Sequence, residues 1–177
     1  MLSGAIGACG GDSTPTGDSA AQPASNLTAN DLVPNLDDLG FKLAEQGKEP
    51  VAASGLDSAL ALYKKQGSAQ SVQLRVYVFS EDANAEKQWS AYAEAFRNPS
   101  ADVLGTTSKN VDAVALPLGQ LQKSYVTDKP DGAGNLVWTD IYRKGKVVLL
   151  VQVLDAAKSD GTAIRKPVAE RVLSKVK

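Results

Sequence analysis

The chain has 177 residues, 43% of them apolar, and 19 basic against 20 acidic side chains for a formal net charge of −1. That fits one domain with an appendage and leaves no single-sign field to attract nucleic acid. It has no histidine and a single cysteine, which excludes a Ser-His-Asp triad, a Cys-His dyad, a histidine-bearing zinc site and an internal disulfide.

The cysteine stands in Ile6-Gly7-Ala8-Cys9, followed by the polar run Gly10-Gly11-Asp12-Ser13-Thr14. An aliphatic residue, two small residues and a cysteine ahead of a polar spacer resemble the lipobox of bacterial lipoproteins. The resemblance implies cleavage before Cys9 and transfer of acyl chains, palmitate among them, to Cys9. Each buried methylene adds ~0.8 kcal/mol, so more than one chain gives stable anchoring. Met1 to Ala5 carries no Lys or Arg, so residues 1–8 read as a partial signal peptide. Residues 9–30 read as the lipidated cysteine and a flexible linker, because their Gly, Ser, Thr, Ala, Pro and Asp cannot bury enough surface to offset ordering entropy. Residues 31–177 are expected to form a single α+β domain. No run of ~20 apolar residues encodes a membrane-spanning helix.

Residues 31–39 suggest a short helical turn or entry loop, and 41–45 a first strand. Residues 50–55 are expected to be loop and 58–63 a second strand, ending at Lys64-Lys65-Gln66-Gly67. Residues 72–79 alternate cleanly, with Val72, Leu74, Val76 and Val78 on one face and Gln73, Arg75, Tyr77 and Phe79 on the other. Ser80 is placed as an N-cap, with Glu81 and Asp82 favouring the helix dipole. The helix then runs to about Arg97 on the stripe Ala85, Trp89, Tyr92 and Phe96, and Asn98-Pro99 stops it.

Further on, residues 122–127, 136–142 and 146–154 read as strands. The last two make a hairpin around Arg143-Lys144-Gly145. Residues 161–176 read as a final helix, with Pro167 either kinking its first turns or marking its true start. Two stretches look alike: Leu62 to Gly67 before one strand and helix, and Ile141 to Gly145 before another. The expected fold is therefore α+β: an antiparallel sheet with two helices packed on one face, organised as two β-meander-plus-helix pseudo-repeats if the likeness is a true duplication.

Alternation places Arg75, Tyr77, Trp138, Asp140, Tyr142 and Gln152 together on the other face. Aromatics interleaved with a cation, an anion and an amide suit a ligand groove; a solvated face with strand-favouring aromatics is the plainer reading. The basic turns Lys64-Lys65 and Arg143-Lys144-Lys146 would suit anionic headgroups if a pseudo-dyad brought them together. Asp128 to Asn135 resembles a calcium loop only superficially, since Pro130 occupies a ligand position and no closing Glu follows. No metal site, cofactor or catalytic set is assigned. Asp37-Asp38 and Glu81-Asp82 are chain neighbours that point apart, and a Ser-Lys dyad is the only nucleophilic arrangement left open.

The reading that results is a membrane-anchored bacterial lipoprotein on the extracytoplasmic side, in the periplasm or at the cell surface. Its domain would be non-catalytic, serving in binding, sensing or assembly. Its partners would be the membrane through a lipid anchor and an unknown small ligand or protein, with no nucleic acid. The alternatives are an extracytoplasmic hydrolase using Ser, Lys and carboxylate groups, and a structural domain that pairs through its sheet edges.

Overall fold

The computed structural model describes residues 27–49, 56–97, 109–159 and 161–177. The lipobox-like run, the linker to residue 26, the loop expected at 50–55 and the Asn98-Pro99 stop lie outside the described residues. Seven strands form one antiparallel sheet: β1 (Phe41–Gly47), β2 (Asp57–Lys65), β3 (Ser71–Val78), β4 (Asn110–Asp112), β5 (Leu121–Thr127), β6 (Asn135–Lys144) and β7 (Val147–Ala156). Their order across the sheet is β1-β2-β3-β7-β6-β5-β4. Among the described residues the α-helices are α1 (Ala29–Leu32), α2 (Asp82–Arg97) and α3 (Thr162–Leu173).

Local chemistry sets several element ends. Thr28 and Asp31 form a capping box: the Thr28 hydroxyl accepts the Asp31 amide at 3.3 Å and the Asp31 carboxylate accepts the Thr28 amide at 2.9 Å. The Asp57 carboxylate accepts the Ala29 amide at 2.7 Å, which ties α1 to β2 and is the leading cause of its lowered pKa. At α2 the Glu81 carbonyl accepts the first helical amide, from Ala85, at 3.2 Å. The capping position is thus Glu81 rather than the expected Ser80. In α3 the helix begins at Thr162, so Pro167 lies inside it and does not mark its start.

The fold is the α+β antiparallel sheet with helices packed on it that the residue pattern implies, but the two long helices do not share a face. Val72, Leu74 and Val76 of β3, with Leu149, Val151 and Val153 of β7, pack under Val168, Ala169 and Val172 of α3, and α1 joins them through Leu32. On the opposite face Tyr77, Phe79, Val148, Leu150 and Ile141 pack under Ala85 and Phe96 of α2. The Trp89 indole donates to the Ile141 carbonyl at 3.2 Å, and the Tyr125 hydroxyl to the Ala93 carbonyl at 2.5 Å, pinning α2 down. The reason is visible in β7: Val147 to Val151 are all buried, as a strand covered on both sides requires.

The paired halves also differ from the expected symmetry. One is a three-stranded meander (β1 to β3) and the other a four-stranded one (β4 to β7), each followed by a helix, and they meet at the antiparallel β3–β7 pair. A two-fold axis relating such a pair stands perpendicular to the sheet and keeps each face on itself. With α2 and α3 on opposite faces, that axis does not relate the halves.

Both sheet edges are blunted. β4 has three residues, and β1 carries a register shift between Leu43 and Glu45, two devices that discourage edge pairing.

Leu149 and Leu150 are neighbours in sequence with side chains in different cores. Leu149→Ala and Leu150→Ala are each expected to cost about 2–5 kcal/mol in urea unfolding. A near-neutral result for either one would mean that its face of the sheet is not packed.

Candidate functional site

The six residues read as one groove fall on two faces. Arg75, Tyr77 and Gln152 lie on the α2 face, whereas Trp138, Asp140 and Tyr142 lie on the α3 face. Strand register decides this. Arg75 sits opposite Leu150 across β3–β7, while Asp140 sits opposite Val151 across β7–β6, and successive residues of a strand point to opposite faces.

The α2-face group is partly open. Arg75 donates to the Gln152 side-chain carbonyl at 3.2 Å, and its Nε lies 3.2 Å from a Glu49 carboxylate oxygen. That second contact is an ion pair without hydrogen-bond alignment. The Arg75 and Glu49 side chains keep 23% and 25% of their surface exposed. The Tyr77 hydroxyl donates to the other Glu49 oxygen, and its ring meets Tyr92 at 5.3 Å between centroids. Burial, and then the Glu49 carboxylate, push the Tyr77 pKa far above the phenol range, so it acts as a donor and not as a base. Gln152 continues the chain by donating to Thr139 Oγ1 at 3.4 Å. Such a set can hydrogen-bond a polar or anionic ligand through a held guanidinium and a carboxamide. Its one carboxylate, Glu49, is engaged by both Arg75 and Tyr77.

The α3-face group is closed. Arg165 of α3 makes a two-toothed pair with Asp140, Nε to Oδ2 at 2.7 Å and Nη2 to Oδ1 at 2.6 Å. The two side chains are 2% and 0% exposed. Ser124 donates to Asp140 Oδ1 at 2.5 Å, and the guanidinium lies 4.7 Å from the centre of the Trp138 ring. Tyr142 is fully buried beside Asp140. Burial, with the Asp140 charge behind it, raises its pKa, and its hydroxyl makes no hydrogen bond among the described residues. Gly161 closes the cluster: its φ is +67°, and a Cβ there would come within 2.9 Å of Arg165 Cδ and 3.0 Å of Trp138 Cδ1. This arrangement anchors α3 to the sheet.

The remaining candidates resolve simply. Lys64-Lys65 and Arg143-Lys144-Lys146 lie at opposite ends of the sheet, since Lys64 pairs with Ser71 and Lys144 with Val147, at the two ends of the β3–β7 ladder. The Asp128–Asn135 stretch includes the β5–β6 turn, where Asp131 Oδ1 accepts the Ala133 and Asn135 amides at 2.9 and 2.8 Å. Those amides, Asn135's first, hold Asp131 below the usual carboxylate range. Asp38 binds Arg171 through both oxygens, at 2.7 and 2.5 Å, and Asp37 pairs with Lys42 at 3.0 Å. The buried hydroxyl of Ser58 serves the Glu49 carbonyl at 2.9 Å, and that of Ser124 serves Asp140.

The residues missed from sequence are Glu49 and Arg165. Arg165 had a signal, because it lies one helical turn before Ala169 on the apolar side of α3. Glu49 had none.

No protein-family model matches the chain, and no curated protein matches it. Among solved structures, the extracellular domain of PknH from Mycobacterium tuberculosis superposes with a TM-score of 0.61 at 13% identity, covering 88% of this chain and 97% of that one. The likeness is one of fold. Among the described residues no helix is long and apolar enough to cross a membrane.

Removing one partner of a buried pair leaves a charge uncompensated, so Asp140→Ala is expected to cost about 3–5 kcal/mol. Arg75→Ala, at a partly exposed pair, should cost about 1 kcal/mol. The double variant Asp140→Leu/Arg165→Met should recover much of the Asp140→Ala loss. Denaturant unfolding of the variants reads all three, and equal costs for Asp140→Ala and Arg75→Ala would contradict the division into a structural and an open group.

Proposed function

We propose that the chain is a lipid-anchored extracytoplasmic protein whose domain binds or senses a partner at the outer face of a bacterial membrane and does not catalyse a reaction. The observation that carries this reading is the fold, shared over nearly the whole of both chains with a domain described as extracellular. The lipobox-like Ile6-Gly7-Ala8-Cys9 supports the anchor. The chemistry of the domain supports binding: the buried Asp140 carboxylate and the Ser58 and Ser124 hydroxyls are committed to structural partners, and the partly open group around Arg75 presents a guanidinium and a carboxamide, with its carboxylate, Glu49, held by Arg75 and Tyr77. Arg75 and Gln152 are the proposed ligand-contacting residues, and the buried Tyr77 holds Glu49 in place beside them. Trp138, Asp140 and Tyr142 serve the fold.

Fractionation of cells producing the protein tests the anchor. The wild-type chain should travel with membranes and yield a mature N-terminus at Cys9 with acyl mass added, and Cys9→Ala should release it. Cys9→Ala protein that still pellets with membranes would sink the anchor. Turnover of generic ester or phosphate substrates, abolished by a single Ser or Lys change, would support the hydrolase instead.

A further inference from the structure

At the end of the sheet where β6 turns into β7, a surface cavity of about 610 Å3 opens between the start of α2 and the end of the chain. Its lining includes the apolar Leu27, Phe79 and Val176, together with Lys146, Lys175 and Lys177 and one acidic side chain, Asp82. In a chain of net charge −1, three lysines leave the depression an excess of positive charge over Asp82, with Lys175 partly offset by the Asp31 carboxylate near it. They converge from segments far apart in sequence, and the fold fixes where they stand. The Gly145 amide donates to Gln120 Oε1 at 2.8 Å and Gly145 takes a φ of +53°, which shapes the turn that presents Lys146. The Lys144 amine donates to the Leu173 carbonyl at 3.0 Å and the Lys175 amine to the Asp31 carbonyl at 2.8 Å, tying the turn, the segment after α3 and α1 together.

We infer that this cavity receives the anionic headgroup of a membrane phospholipid and that the domain docks on the bilayer through it. The volume falls within the ~300–1,000 Å3 of small-molecule sites, and the lysine ammonium groups at the opening match the phosphate of an anionic headgroup whose acyl chains stay in the bilayer. The attachment of the linker agrees. Leu27 lines the cavity, so the segment from Cys9 enters the domain beside it. With Cys9 anchored, this is the end of the sheet joined to the membrane by the shortest stretch of chain. The inference thus rests on the anchored reading for its biological setting, and its test is independent of acylation.

The test uses the full chain carrying Cys9→Ala, so that no lipid is attached, with vesicles of phosphatidylglycerol in phosphatidylcholine against phosphatidylcholine alone. Co-sedimentation should show binding to the anionic vesicles and little to the neutral ones. Lys146→Gln, Lys175→Gln and Lys177→Gln should each weaken binding about fivefold, and the triple variant roughly 100-fold, at ~1 kcal/mol per lysine. Lys64→Gln/Lys65→Gln, at the far end of the sheet, should bind within about twofold of the parent. Equal binding to both vesicles, or a loss as large for the Lys64/Lys65 variant, would overturn the inference. So would inorganic phosphate stripping the protein at an ionic strength where chloride does not, since the cavity would then be taking a free anion. Failure here with acylated Cys9 in cells would reject the docking site and leave the anchor standing.

Discussion

The pairing of β3 with β7 is the constraint on which the rest of the molecule depends. It runs without interruption from Ser71 opposite Leu154 to Val78 opposite Val147, and it is the seam at which the two meanders meet. Because it lies in the middle of the sheet, both of its faces must be covered. Val72, Leu74, Val76, Leu149 and Val151 serve one face, and Tyr77, Val148 and Leu150 serve the other. One helix cannot cover both, so α2 and α3 divide them. The hydrophobic term is proportional to area removed from water, and two cores sharing one pair of strands make the halves a single stability unit.

The same seam sorts the polar groups. On the α3 face the aromatic and aliphatic surroundings leave no water for Asp140, and only a guanidinium in two-toothed geometry, a serine hydroxyl and an aromatic face make its burial tolerable. A buried pair of that kind fixes where a helix sits more than it adds to stability, which accords with Gly161 leaving just enough room for Arg165 and Trp138. On the α2 face Arg75 remains partly exposed, with Glu49 and Gln152 holding its guanidinium in place. The two clusters use similar residues to opposite ends, one closed by a helix and the other at the margin of one.

Much of the architecture was legible from residue order. The alternation of Val72 to Val78, the stripe Ala85, Trp89, Tyr92 and Phe96, and the hairpin around Gly145 each appear as expected. What failed was the relation between strands. Alternation fixes parity within one strand, but whether Arg75 and Asp140 share a face depends on the register of both with β7, a long-range property absent from either segment. One signal was available in β7 itself. Its apolar residues do not alternate, and Val148 and Leu150 have no place on a sheet covered from one side. Arg165 was likewise visible as a charge on an apolar helix face, which is uncommon unless a partner waits beneath it. Glu49 reaches Arg75 and Tyr77 from outside any regular element, and nothing local marks it.

Native-state hydrogen exchange tests the central seam most directly. Amides of β3 and β7 should be the most protected in the domain and should exchange only through global unfolding, with β1 and β4 at the edges exchanging by local opening. Protection of β5, β6 and β7 lost together while β1, β2 and β3 remain protected would show two independent meanders, and would contradict a domain built on the β3–β7 pair.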